Sequence, residues 1–172
     1  MKDVLVIMTG GTIDAEAYPD PKNPPPNATP LRDSAVPDAL HKLGYDDVCR
    51  CYQWLMKDSK EFTPKNIEIL ATMIRERRAK YIIVTHGTDR MPENSRALSA
   101  ALGNTDKTIV ITGSMIPLAN GKDSDGYDNL RYTVDTIDSW PAGVHVVMHG
   151  KRFDSARVKK NFEALRFEEE PL

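Results

Sequence analysis

Two turns rich in glycine and threonine carry the side chains best suited to chemistry, and each follows a short apolar run. Thr9-Gly10-Gly11-Thr12 follows Val4–Met8, and His86-Gly87-Thr88-Asp89 follows Tyr81–Thr85. In a parallel α/β sheet, the carboxyl ends of the strands open onto the crevice where ligands bind. Two hydroxyls and a carboxylate that converge there predict acyl transfer by a threonine nucleophile.

Each turn also has simpler interpretations. Two glycines after a strand serve equally well in a structural turn or a phosphate cradle, although the spacing of the Rossmann and P-loop fingerprints is missing. A neutral threonine needs a nearby base, and the candidates are His86, His149 and the lysines of the C-terminal tail. A lone histidine is more often packed or exposed than catalytic, so neither histidine is favoured.

The elements that must position these turns alternate between strand and helix. Apolar runs predict five strands, at residues 3–9, 48–55, 81–85, 108–112 and 144–148. Helical spacing predicts helices at residues 37–43, from the Thr63-Pro64 start onward, at 93–102 and at 125–137, with weak helical character at 157–167. This alternation predicts an open, mostly parallel sheet with helices on both faces, a Rossmann-like three-layer sandwich.

Residues 18–37 form a segment of a different kind, because seven of the twelve prolines lie there. Such a segment is neither helix nor central strand. It begins just after the first glycine turn, so a lid over the site and a surface insertion are both open interpretations.

Composition excludes several classes of protein. The formal net charge is -2, and acidic residues accompany the basic groups, so we expect no nucleic-acid partner. The N-terminal apolar run is too short for a signal peptide or a membrane span. Cys49 and Cys51 are interpreted as reduced thiols of a cytoplasmic protein, and no cluster with the spacing of metal ligands is visible.

Four stretches, in order, resemble the amino-terminal domain of bacterial-type L-asparaginases. They are residues 9–13, residues 86–89, residues 107–115 followed by 125–130, and residues 158–161. Each stretch alone is a loose match, but four in sequence order span nearly the whole chain and are specific.

The resemblance implies roles for particular side chains. Thr12 matches the nucleophile, while Thr88, Asp89 and Lys160 match a second group that shuttles protons; a shift of one residue would substitute Lys159 for Lys160. Lysine acts as a base when desolvation or nearby positive charge lowers its pKa.

The resemblance also implies a substrate site. Ser59 matches the donor to the α-carboxylate, Asp89 also holds the α-ammonium, and the backbone at Gly11 and Gly87 supplies N–H groups to the oxyanion. Tyr18 is the only candidate for the catalytic tyrosine of the family's mobile loop. Three residues depart from the family pattern: Asp14, Lys60 and Arg90.

The resulting expectation is an amidohydrolase that converts L-asparagine to L-aspartate and ammonia, without cofactor or metal, as a homodimer or higher homo-oligomer. The sequence ends before the second domain of longer members, so residues 1–172 are expected to form one domain of a short branch. Two alternatives stay open. One is a weak or inactive module that binds aspartate or a related amino acid, and the other is an amidase for a different amide.

Overall fold

The framework of the computed structural model, which describes residues 2–171, is a six-stranded sheet. Its strands are β1 (Val4–Met8), β2 (Cys49–Gln53), β3 (Tyr81–Thr85), β4 (Thr108–Thr112), β5 (Gly143–Met148) and β6 (Lys151–Asp154). The order is β2-β1-β3-β4-β5-β6, and only β6 is antiparallel to its neighbour. Because β1 pairs with β3, with Met8 opposite Thr85, both glycine turns leave the same edge of the sheet side by side.

Helices cover both faces of this sheet, as the sequence predicts. They are α1 (Val36–Lys42), α2 (Pro64–Glu76), α3 (Met91–Leu102) and α4 (Gly126–Thr136). Buried side chains of α2 and α3 pack on one face, and those of α1 and α4 pack on the other. Alternate residues of the central strands enter the two cores, which explains why these strands are apolar throughout. The three-layer α/β prediction is therefore confirmed.

The start of α2 shows how local sequence sets an element's boundary. The Thr63 hydroxyl accepts a hydrogen bond from the Asn66 backbone, and the Asn66 side chain accepts one from the Thr63 backbone. This reciprocal capping box satisfies backbone N–H groups that a helix start otherwise leaves unpaired. Pro64 follows in the first turn, where its missing N–H costs nothing.

The C-terminal tail differs from its prediction. Weak helical character was expected over residues 157–167, but the chain forms a hairpin of β7 (Val158–Asn161) and β8 (Arg166–Glu169). Its inward side chains, Val158 and Phe167, are buried in the core beneath α3. A strand of four residues is too short to show a clear alternation of polar and apolar side chains. The structure of this region is therefore determined by strand pairing and burial rather than by local propensity. Strand β6 was missed for the same reason.

The proline segment is irregular but attached at several points. Ala15 and Pro30 form an isolated antiparallel bridge, and the Asn120 side chain bonds both the N–H and the C=O of Tyr18 at 2.9 Å. These contacts attach the segment at its first residue, Tyr18, and again at Pro30. Of the helices described, none is long and apolar enough to cross a membrane.

Candidate active site

The two glycine turns pack backbone against backbone. Gly10 and Gly11 have φ angles of +98° and +88°, which favour glycine strongly. A Cβ atom on Gly11 would lie 2.3 Å from the N and Cα atoms of Gly87, so no larger residue fits without displacing the second turn. Thr12 and Thr88, each one residue beyond this contact, are therefore held at one site.

Thr12 begins a short 3-10 turn, Thr12–Asp14, and its partly exposed side chain lines the pocket. Asp14 is fully buried and accepts hydrogen bonds from the Ser34 hydroxyl and the Ala35 backbone N–H. Burial raises the pKa of Asp14, although these hydrogen bonds oppose the shift. Asp14, a departure from the family pattern, thus joins the Thr12 turn to the end of the proline segment.

The sequence-predicted group of threonine, aspartate and lysine is assembled around one ammonium. Lys160 Nζ donates to Thr88 Oγ1 at 2.9 Å and to Asp89 Oδ1 at 2.5 Å. The Lys160 side chain is only 5% exposed, whereas Lys159 is exposed on the opposite face of β7. The alternation of a strand therefore places Lys160, and not Lys159, at the pocket.

Asp89 lies between two cations. Its second oxygen, Oδ2, is 3.5 Å from Lys60 Nζ. Partial burial favours the protonated acid, but the hydrogen bonds and charges of Lys160 and Lys60 outweigh it and hold the pKa of Asp89 below its usual value. Asp89 is therefore an ionised carboxylate with an ammonium group beside each of its oxygens.

His86 is a structural residue with both ring nitrogens engaged. Asn94 Nδ2 lies 2.7 Å from Nε2, and Thr9 Oγ1 lies 2.8 Å from Nδ1. The Thr9 hydroxyl donates to the Thr85 carbonyl, so it accepts from Nδ1–H, while Nε2 accepts from the amide of Asn94. Burial lowers the pKa of His86 to about 4. The ring therefore has no free lone pair with which to activate a threonine.

His149 is engaged elsewhere. Its Nε2 accepts the backbone N–H of Phe167 at 3.0 Å, which ties the loop after β5 to β8. Burial lowers the pKa of His149, while the charge of Asp125 opposes the shift. His149 therefore anchors the hairpin that carries Lys160. Neither histidine lines the pocket, which leaves Lys160 as the base candidate in contact with a threonine hydroxyl.

The pocket has a volume of about 160 Å³ and unites most of the predicted site. The predicted residues that line it are Gly11, Thr12, Tyr18, Gly87, Thr88, Asp89 and Lys160. Tyr18 is 8% exposed, so the predicted loop tyrosine is packed at the site rather than in solvent. The proline segment also contributes Pro24, Pro25 and Pro26 to the wall.

Ser59 lies behind the pocket rather than in its wall. Its side chain is 1% exposed, and a Cβ on Gly87 would lie 2.8 Å from the Ser59 Cβ. The Ser59 hydroxyl accepts a hydrogen bond from the backbone N–H of Arg90 at 3.0 Å. Arg90 itself is exposed, and its side chain does not line the pocket. Its backbone N–H holds Ser59 in place.

Some wall residues escaped sequence analysis. Met115 and Leu165 line the pocket, and the turn between β7 and β8 brings Leu165 there with a φ of +51°. The sequence carries no signal for Leu165, because its position depends on the missed hairpin. Asn94 does not line the pocket, but it bonds His86 and was also missed, although its position in the first turn of α3 could have indicated this contact. Within residues 2–171, no group of three or more histidine, cysteine or acidic residues is placed to hold a metal ion.

Several known L-asparaginases are similar to this chain in sequence or in fold. L-asparaginase 1 of Escherichia coli K12 is 30% identical over 142 residues, which cover 81% of this chain and 41% of that protein. The L-asparaginase of Thermococcus kodakarensis aligns in structure with a TM-score of 0.76 and 26% identity, over 98% of this chain and 51% of that one. L-asparaginase I of Vibrio cholerae aligns with a TM-score of 0.81 and 22% identity, over 100% of this chain and 52% of that one.

The chain thus spans about half the length, or less, of these relatives. The family model for the N-terminal part of asparaginase matches residues 3–167, which include both glycine turns, the Asp89 carboxylate and the Lys160 ammonium. The chain therefore belongs to the asparaginase family and corresponds to its N-terminal region.

Proposed function

We propose that this chain hydrolyses the side-chain amide of L-asparagine to L-aspartate and ammonia through a threonine acyl-enzyme. The observation that carries the proposal is the contact of Lys160 Nζ with both Thr88 and Asp89, inside the pocket that Thr12 lines. A nucleophilic hydroxyl, a second hydroxyl and an amine at one site are the parts that acyl transfer requires.

In the proposed first step, Thr12 Oγ attacks the amide carbon and its proton passes to the departing nitrogen. The C–N bond breaks, ammonia leaves, and an ester joins the substrate acyl group to Thr12. Water then attacks the ester, so that aspartate leaves and the Thr12 hydroxyl is restored. Backbone N–H groups at the two glycine turns stabilise each oxyanion, at about 3 kcal/mol for each donor.

Thr88 and Lys160 move the protons in this scheme. Lys160 contacts Thr88 and Asp89 rather than Thr12, so it acts through Thr88 or on the attacking water. Asp89 receives the α-ammonium of the substrate at its Oδ2 oxygen, while Oδ1 keeps its hydrogen bond from Lys160.

Ammonia release from L-asparagine by the purified protein tests the proposal directly. We expect Thr12→Ala, Thr88→Ala and Lys160→Met each to lower kcat/KM at least about a thousandfold, as removal of a catalytic group does in hydrolases with a nucleophile and a base. Lys159→Met is the matched control, because this neighbouring lysine is exposed. Equal rates for the parent and the Thr12→Ala protein would refute the acyl-enzyme.

A binding module for aspartate is the second candidate, and one observation favours it. The lysine contacts Thr88, and the nucleophile candidate Thr12 lies outside that contact. Calorimetric titration with L-aspartate distinguishes the two functions. Tight binding without any ammonia release supports the module, whereas turnover supports the enzyme.

We further propose a cytoplasmic homo-oligomer that acts on a small amino-acid substrate. Free thiols at Cys49 and Cys51 support the reducing compartment, because such thiols are kept unpaired there. Light scattering of the purified protein at several concentrations tests the oligomer, and a monomer at every concentration would refute it.

A further inference from the structure

Lys60 is a charged residue in the pocket wall to which the proposed mechanism assigns no role. It lies in a short 3-10 turn, Ser59–Glu61, and lines the pocket beside Asp89. Its ammonium is 3.5 Å from Asp89 Oδ2 and 3.9 Å from Asp58 Oδ2. The Lys60 side chain is 49% exposed, so it is free to change partners.

Each oxygen of Asp89 already faces an ammonium. Oδ1 faces Lys160, whose side chain is nearly buried, and Oδ2 faces Lys60. A cationic group that binds Asp89 therefore competes with these two lysines for the carboxylate. Lys60 is the one that yields, because its contact is longer, its side chain is half in solvent, and Asp58 offers a second carboxylate nearby.

We propose that Lys60 determines substrate class by occupying the ammonium position at Asp89. It favours side-chain amides that carry a carboxylate but no free α-ammonium over free L-asparagine. A substrate without the ammonium leaves the Lys60–Asp89 pair intact and adds a carboxylate beside a cation. L-asparagine must instead break that pair before its own ammonium binds. This inference rests on the proposed function, since it assumes that Asp89 receives the ammonium.

Two amides that differ in one group provide the test. Succinamic acid has the side-chain amide and carboxylate of asparagine but hydrogen in place of the ammonium. We measure kcat/KM for both amides in the parent, in Lys60→Gln and in Lys60→Met. The value of kcat/KM for succinamic acid, divided by that for asparagine, should fall roughly two- to fivefold in both neutral variants. This is the effect expected from loss of an ion pair exposed to solvent.

Two further variants show whether the charge of Lys60 causes the change in this ratio of kcat/KM values. Lys60→Arg keeps the charge and should keep the parent ratio. Lys65→Gln removes an exposed lysine that pairs with Glu68 on α2, and it should leave the ratio unchanged. A ratio that is the same in the parent and both neutral variants would overturn the inference.

Binding of the two product analogues separates this inference from the proposed function. Calorimetry compares succinate with L-aspartate in the parent and in Lys60→Gln, and needs no turnover. We expect the substitution to increase the affinity for aspartate two- to fivefold relative to the affinity for succinate. If no amide is hydrolysed, the proposed function fails while this comparison still decides the role of Lys60. Unchanged relative affinities would refute the role even in an active enzyme.

Discussion

Mildly acidic pH should destabilise this protein, because folding opposes protonation of His86. The ring is 2% exposed, it accepts a hydrogen bond from Asn94 at Nε2, and it donates from Nδ1 to Thr9. A second ring proton would point at the amide N–H of Asn94, which cannot accept it. Phe62 also packs edge-on at 4.6 Å, so water has no room to solvate the cation.

The size of the effect follows from the two pKa values. Burial lowers the pKa of His86 from 6.5 to about 4 in the folded protein. The neutral ring is therefore favoured by folding, so its contribution is complete above pH 6.5 and is lost as pH falls from 6.5 toward 4. At pH 5 the unfolded chain is protonated and the folded one is not, which lowers the free energy of unfolding by about 2 kcal/mol.

Urea unfolding at pH 7 and pH 5, followed by tryptophan fluorescence, measures this loss. His86→Gln keeps one donor and one acceptor but does not titrate, so its loss between the two pH values should be smaller by about 2 kcal/mol. His41→Gln controls for the substitution itself, because His41 is exposed beside Asp46. NMR of the imidazole nitrogens reports the Nδ1–H tautomer directly. Equal losses in the parent and His86→Gln, or a His86 titration near pH 6.5, would refute the reasoning.

Three further predictions concern packing, backbone geometry and capping. Leu70→Ala should lower the free energy of unfolding by about 2–5 kcal/mol because the side chain is 2% exposed, whereas Ile69→Ala, next to it but 38% exposed, should cost about 1 kcal/mol or less in the same urea titration. Gly11→Ala should abolish ammonia release, since its Cβ would meet the second glycine turn at 2.3 Å; Gly103→Ala, also at positive φ but in open space, should cost about 1–3 kcal/mol and keep activity. Thr63→Ala should lower stability by about 1 kcal/mol, and an unchanged urea midpoint would show that the capping box contributes nothing.

Local sequence was sufficient for the central strands. Strands β3 and β4 begin and end where predicted, because each is an unbroken apolar or β-branched run that follows a lysine. The start of α2 was equally well marked by Thr63-Pro64. These signals are carried by neighbours in the chain, so they require no knowledge of the partner elements.

Which strands lie side by side could not be predicted from local sequence. The sequence places Thr12 and Thr88 after strands, but their closeness depends on β1 lying beside β3 while β2 takes the other side of β1. The choice between Lys159 and Lys160 likewise depends on which face of β7 turns inward. Both facts are set by contacts between segments far apart in the chain, which no window of sequence contains.

The threonines and the lysine of the candidate site are held in place by different parts of the structure. The threonine turns are fixed by backbone packing of Gly11 on Gly87, within the central sheet. Lys160 instead comes from a small hairpin held by side chains: Phe167 against Phe153 and the bond from Phe167 N–H to His149. Because the two threonines and Lys160 are anchored separately, loss of the hairpin would remove the candidate base while leaving both hydroxyls in place. Ligand binding at the glycine turns is therefore separable from proton transfer, which is the distinction between a binding module and an enzyme on this fold.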